Sequence, residues 1–239
     1  MPDYSIIIPA YNESELISLT LNKVFEAMRD VDMTGEVIVV DNNSSDDTAD
    51  IAKAMGVSVQ FEPVNSIAKA RNCGGEKAKG NYLIFLDADT ELNQALLKQA
   101  LNNLQGGTIC IGGSSLYVPK SSSKGVQTIF RSWNFISDKM NWAAGCFLYC
   151  TKEVFNAISG FDERIYASEE IHFVNSAKKW GKKRAQSFSL IKTYPIKTSL
   201  RKVEWHSFTT LFLTFFLFAF FPFATRFKFM CYFWYKRPV

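Results

Sequence analysis

The chain has 239 residues, enough for one large domain or one domain with an appendage, and 47% of them are hydrophobic, which supplies a sizeable core. A net charge of only +4 does not suit a nucleic-acid binder, and no nucleic acid is expected as a partner. The five cysteines match no zinc spacing and read as reduced thiols, and a strand pattern stands where a secretory leader would begin, so the N-terminal domain is expected to stay in the cytosol.

Residues 5–9 (SIIIP) form a short apolar run that predicts a buried strand. Asn12, with Glu15 three residues on, predicts a capped helix whose inner face carries Leu16, Thr20, Val24 and Ala27. Gly35 breaks that pattern, and residues 36–40 (EVIVV) predict a second buried strand. Ser44 or Ser45 can cap a helix running to about Met55, closed by Gly56. Residues 57–61 alternate like a strand, Ser66 caps a helix ending near Gly80, residues 81–86 (NYLIFL) predict another buried strand, and 92–104 a helix. After Gly106 and Gly107 the pattern is less regular: 108–118 is strand-like, 119–125 (PKSSSKG) is a mobile loop by composition, 147–150 a strand and 152–158 a short helix. A last helix over 171–180 is opened by Glu169 and Glu170, which the helix dipole favours there.

Strands alternating with helices argue for a parallel sheet covered on both faces. In such sheets the ligand binds outside the carboxyl ends of the strands. That rule points to residues 9–13 (PAYNE), 41–44 (DNNS) and 87–89 (DAD), and two of these three ends release acidic residues at once. A buried strand end is an expensive place for a carboxylate, so structural need does not explain them. Asp87 and Asp89 stand two residues apart and face the same way in extended backbone. Such a pair can hold a hard divalent cation, Mg²⁺ or Mn²⁺, which bridges a diphosphate and neutralises a leaving nucleotide.

At these residues the chain resembles the family-2 glycosyltransferases. The resemblance is carried by residues 5–13 (SIIIPAYNE), 39–48 (VVDNNSSDDT), 70–72 (ARN) with Gly80, 85–89 (FLDAD), 160–163 (GFDE) and then Glu169 and Glu170, and it covers roughly residues 4 to 185. It implies a GT-A type α/β fold, a Rossmann-like mostly parallel sheet with helices on both faces. It also implies an inverting, metal-dependent hexosyltransferase with a nucleotide-sugar donor. By this resemblance Pro9, Tyr11 and Glu13 line the nucleotide pocket, Arg71 meets the nucleotide or its diphosphate, Asp87 faces ribose or metal, Asp89 is the metal ligand, and Ala88 between them joins the donor site. The family often has two acidic residues after the second strand; here Asp41 is followed by Asn42, an amide with other donor and acceptor options, which leaves the base open. Glu169 and Glu170 stand where the family carries a Glu-Asp pair, which makes Glu170 the general base, with Glu169 raising its pKa by like-charge repulsion.

Nine basic residues between 178 and 202 are uninterrupted by any acidic residue, and residues 205–225 then carry eight phenylalanines and no formal charge. A basic stretch beside an apolar segment suits an anionic cytoplasmic leaflet. The chain therefore divides into a catalytic domain, 1–203, and a hydrophobic membrane-associating helical tail, 204–239. Basic residues at both ends of the apolar run, and Pro222 within it, favour a re-entrant or in-plane element over a single span. The expected partners are the nucleotide-sugar donor, a glycan or lipid-linked acceptor and the cytoplasmic side of a membrane. Two other readings are a polyprenyl-phosphate glycosyl synthase and a non-catalytic nucleotide-sugar-binding membrane scaffold; a scaffold would have no use for a base at Glu170.

Overall fold

The computed structural model describes residues 1–120, 122–201, 221–231 and 235. Strands β1 (Tyr4–Ala10), β2 (Gly35–Asp41), β3 (Ser58–Phe61) and β4 (Tyr82–Leu86) alternate with helices α1 (Ile17–Met28), α2 (Thr48–Ala54) and α3 (Ile67–Lys77). The two-residue β5 (Thr90–Glu91), helix α4 (Gln94–Gln105), β6 (Ile109–Leu116), helix α5 (Lys124–Met140), β7 (Phe147–Thr151), helices α6 (Lys152–Ala157) and α7 (Glu169–Lys182), and β8 (Ser187–Thr198) follow. Two short 3-10 helices, Pro222–Arg226 and Lys228–Cys231, lie beyond.

The strands form one sheet in the order β3-β2-β1-β4-β7-β6-β8-β5. From β3 to β4 all neighbours run parallel, but β7 is antiparallel to both β4 and β6, and β5 is antiparallel to β8. The expected mostly parallel sheet is thus parallel in its first half and mixed in its second.

Alternation along the strands feeds two cores. Ile6, Ile8, Val37, Val39, Ile84 and Leu86 face α1 and α4 on one side, while Ile7, Ile38, Val40, Leu83 and Phe85 face α3, α6 and α7 on the other. The helices therefore cover both faces, as expected. Helix α3 presses close because it has glycines where it meets its neighbours: a Cβ on Gly74 would lie 2.3 Å from Ile7 Cγ2, and one on Gly75 2.4 Å from Phe155 Cζ.

Three local expectations are corrected. Asn12 does not cap a helix with Glu15: its φ of 51° is left-handed, outside the extended backbone of an N-cap, and α1 starts only at Ile17. Its side chain instead accepts from the Ser45 amide at 2.7 Å, and its own amide donates to Ser44 Oγ at 3.0 Å, tying the two loops together. Neither Ser44 nor Ser45 caps α2, which starts at Thr48 behind Asp46; the Asp46 carboxylate accepts from the Thr48 amide at 3.1 Å. Helix α5, of 17 residues, has no counterpart among the expected elements; of its residues only Phe130 and Ser137 are buried.

Most of the expected membrane tail (204–220, 232–234 and 236–239) lies outside the described residues. Among the described residues no helix is long and apolar enough to cross a membrane. The described part of the tail rests on the catalytic domain: the Tyr166 amide donates to the Thr225 carbonyl at 2.7 Å, and Lys228 Nζ donates to the Asn65 carbonyl at 2.7 Å. All five cysteines are free, four of them buried and Cys73 partly exposed.

Candidate functional site

The Asp87–Asp89 turn is held by its backbone. The Asp87 amide donates to the Cys146 carbonyl at 3.1 Å, the Ala88 carbonyl accepts from the buried Thr20 hydroxyl at 2.7 Å, and the Asp89 carbonyl accepts from the Ser199 amide at 3.0 Å. Strands, α1 and the end of β8 thus fix the turn from three directions and free its side chains for the cleft. Asp89 lies deeper, with 5% side-chain exposure against 27% for Asp87. The Thr198 hydroxyl, at 3.3 Å, donates to Asp89 Oδ1.

Behind this turn sits Arg71, 2% exposed. It donates to Glu169 Oε1 at 2.5 Å, to Asp87 Oδ1 at 3.1 Å and to the Gly145 carbonyl at 2.9 Å, and its guanidinium lies 5.3 Å from the centre of the Phe161 ring. Its donors go to the Glu169 and Asp87 carboxylates and the Gly145 carbonyl beneath the cleft. Burial disfavours its charge, but the carboxylates of Glu169, Asp87 and Glu170 outweigh that and raise its pKa above the usual value.

Glu170, partly exposed beside the buried Glu169, is the counterpart of this arrangement. Burial of its carboxyl, then the charge of Glu169, against the opposing pull of Arg71, pushes its pKa up to about 8. Gly145 makes room for it: a Cβ there would lie 3.1 Å from Glu170 Cδ. Asn72 holds the turn that leads to this pair, donating to the Phe161 carbonyl at 2.9 Å and to Glu163 Oε1 at 3.0 Å while accepting from the Phe161 amide at 2.8 Å. The ARN and GFDE motifs are therefore one unit: Arg71 and Asn72 of α3 grip the segment that presents Glu169 and Glu170.

Asn42 has a structural task. Its amide group donates to the carbonyls of Glu62 and Val64, at 3.2 and 2.6 Å, and its Oδ1 accepts from the Ser66 amide at 2.9 Å. The bonds need two N–H donors, which an aspartate lacks, so the departure from the acidic pair matches what the 62–66 loop requires. Asp41 is likewise buried and accepts from the Ser44 amide at 3.1 Å.

Pro9, Tyr11, Glu13, Asn42, Asp87, Ala88 and Asp89 line one cleft. Asp41, Arg71 and Glu170 do not line it, and Asn65, Ile67 and Tyr235 complete its wall. The cleft holds about 70 Å³, below the roughly 300 Å³ of ordinary ligand pockets. Tyr235 narrows it from the C-terminal segment, with its hydroxyl accepting from the Ile67 amide at 3.4 Å and its ring edge-on to Tyr166. A larger groove of about 400 Å³ lies elsewhere, between α1, the start of α4 and β8, but its charges pair with one another, as in Lys23 with Glu26 and Lys197 with Glu91.

Arg201 is the site residue that sequence reasoning placed elsewhere, in the basic stretch. It forms an ion pair with Glu13, reaches Glu15 at 3.5 Å and comes within 4.0 Å of Asp89 Oδ2. A separation of more than a hundred residues hides such a contact; the only local hint is an arginine just beyond the β8 strand.

Among the described residues no three His, Cys, Asp or Glu side chains are grouped so as to hold a metal ion. Asp87 and Asp89 would serve a hard cation as a partial ligand set, since one or two carboxylates with substrate phosphates and water suffice for Mg²⁺-like ions.

Residues 5–160 match the family described as Glycosyl transferase family 2. Among curated relatives, glycosyltransferase AglE of Haloferax volcanii is 28% identical over 210 residues, covering 82% of this chain and 68% of that protein. The Escherichia coli UDP-Glc:alpha-D-GlcNAc-diphosphoundecaprenol beta-1,3-glucosyltransferase WfaP is 29% identical over 120 residues, 48% of this chain and 47% of that one. Among solved structures, mannosyltransferase PcManGT from Pyrobaculum calidifontis, in complex with GDP-Man and Mn²⁺, superposes with a TM-score of 0.68 at 19% identity over 83% of this chain. The chain spans 57% of that mannosyltransferase, so the likeness is one of fold.

Proposed function

The chain belongs to glycosyl transferase family 2, and on that premise we propose that it transfers a sugar, with inversion, from a nucleoside-diphosphate donor to the hydroxyl of a lipid-linked or other membrane-associated acceptor. The observation that carries the reading is the convergence at one site: the Asp87–Asp89 turn lines the same cleft as Pro9, Tyr11 and Glu13, and Arg71 joins Asp87 to the Glu169–Glu170 pair. The WfaP relative, whose name gives a UDP-glucose donor and a diphosphoundecaprenol acceptor, supports a donor and acceptor of these classes.

In this reading Pro9 and Tyr11 form the wall against which the nucleotide rests, and Asp87 and Asp89 would hold a Mg²⁺ or Mn²⁺ ion against the diphosphate. When bound, that ion supplies charge neutralisation for the departing nucleoside diphosphate. Glu170 takes the proton of the acceptor hydroxyl as that oxygen attacks the anomeric carbon. A carboxylate with a raised pKa is the stronger base, and its free form is present when the pH exceeds that pKa. Arg71 acts from beneath, fixing the carboxylates of Asp87 and Glu169 in place.

Attachment to the cytoplasmic face of a membrane through residues 204–239 belongs to the same proposal. Described residues around the apolar run, Arg201 before it, Thr225 at its end and Lys228 after it, rest on the catalytic domain, which supports attachment from one side. The experiment is nucleotide release from a panel of UDP- and GDP-sugars, with Mg²⁺ or Mn²⁺ and a polyprenyl-diphosphate-linked sugar as acceptor. Release from one donor, dependent on acceptor, is expected; release from none would defeat the reading.

A further inference from the structure

Helix α5 carries large apolar side chains that no part of the site uses. Phe135 is 65% exposed, Met140 50% and Ile136 44%. Residues three and four apart share a helix face, so Ile129, Trp133, Ile136 and Met140 form one stripe, open to solvent along Ile136 and Met140. The helix packs Phe130 and Ser137 inward and leaves this stripe exposed along Ile136 and Met140.

Cations stand on the polar face of the helix and beside it. The Lys139 ammonium lies 5.8 Å from the centre of the Phe135 ring, and Lys124 and Arg131 are exposed on the same helix. From α7, Lys178 closes the C-terminal end by donating to the Met140 and Asn141 carbonyls at 3.1 and 3.3 Å. From β8, Lys192 reaches the Asp138 carboxylate at 2.5 Å, which offsets the only acidic side chain of α5. Part of the basic stretch between 178 and 202 thus gathers around this helix rather than forming a separate solvated face.

An apolar stripe on a helix whose polar face carries lysine and arginine, with its one carboxylate neutralised, is the pattern of a helix that lies in a membrane interface. A protein groove would cover the apolar residues without needing the cations. We infer that α5 docks the enzyme in plane on an anionic lipid surface. The inference rests on the reading of a membrane-associated acceptor and deepens it. The chain runs from α5 through Trp142 to Gly145, whose carbonyl accepts from Arg71 and whose bare Cα faces Glu170. Docking through α5 keeps the base within a few residues of the surface that would present the acceptor hydroxyl.

The test uses the full chain with Cys73→Ser and an environment-sensitive fluorophore at Ile136→Cys, compared with the same dye at Lys53→Cys on α2. Vesicles of phosphatidylglycerol and phosphatidylcholine should blue-shift the dye at 136 and shield it from an aqueous quencher, leaving the dye at 53 unchanged. Adding Lys124→Glu and Arg131→Glu should raise the lipid concentration needed for that shift several-fold, and pure phosphatidylcholine should do the same. If vesicle-bound protein keeps the dye at 136 fully open to quencher, the membrane contact lies elsewhere and the inference is overturned. A shift that follows protein concentration without vesicles would overturn it too, assigning the stripe to a second copy. Nucleotide release in solution is scored separately, so loss of the transferase reading and loss of α5 docking give different results.

Discussion

The two halves of the sheet are built on different rules. From β3 to β4 the strands are parallel; β1, β2 and β4 are largely buried on both faces and release site residues directly from their carboxyl ends, so Asp87 and Asp89 are placed by backbone geometry. From β7 to β5 the sheet is mixed, and its contributions come from the 145 region, the start of α7 and the end of β8. There, side chains hold the geometry: Arg71 and Asn72 reach across from α3 to grip Glu169 and the 161–163 turn. On the proposed function, the first half is the socket for the nucleotide and the second presents the base, Glu170, from the start of α7.

Altering each half separately sharpens the contrast. Asp89→Asn in the parallel half should leave the fold intact, because the turn is held by its backbone, yet lower turnover about 10²-fold or more, on the order of 3 kcal/mol of barrier. Turnover measured across a Mg²⁺ or Mn²⁺ titration checks it; normal turnover at low metal would contradict it. Arg71→Ala cuts the link between the halves and leaves Glu169 and Asp87 without their cation, so stability should fall by about 3–5 kcal/mol in urea unfolding. A change within error would mean that the two halves do not depend on that link.

Asn42→Asp should cost about 1–3 kcal/mol, because two carbonyls lose their donors and face a carboxylate. The same urea experiment checks this, and a neutral result would show that the 62–66 loop is held by other contacts. The smallest effect is expected from Tyr235→Ala, which widens the cleft without touching its carboxylates. Donor KM should fall a few-fold; a rise would instead make Tyr235 part of the nucleotide's own binding surface.

The same contrast explains what could be read in the sequence. Continuous apolar runs such as SIIIP, EVIVV and NYLIFL mark strands buried on both faces, and the residues released at their ends follow from the topology. The helix face at Thr20, Val24 and Ala27 was legible from its period. The left-handed backbone at Asn12 was not, because a residue that favours caps also tolerates positive φ, and only the packed loops choose between them. The bonding of Asn42 and the reach of Arg201 to Glu13 depend on contacts across long stretches of chain, which no local pattern encodes. Helix α5 escaped because it opens within a Ser-, Lys- and Gly-rich stretch that reads as loop by composition.

The central claim is that Glu170 is the base of a transfer carried out at this site. Its folded-state pKa is raised from 4.5 to about 8, so any stability from its protonated form is present below 4.5 and is lost as pH rises through about 8, while the base form gains in the same window. The direct test is the pH profile of kcat/KM for donor transfer, measured for the native chain and Glu170→Gln alongside donor affinity. The account predicts that native activity rises with pH and levels off above about 8, and that the glutamine variant binds donor unchanged but loses about 10²–10⁴-fold in transfer with no such rise. A glutamine variant that kept both the rate and the profile would place the base on another residue.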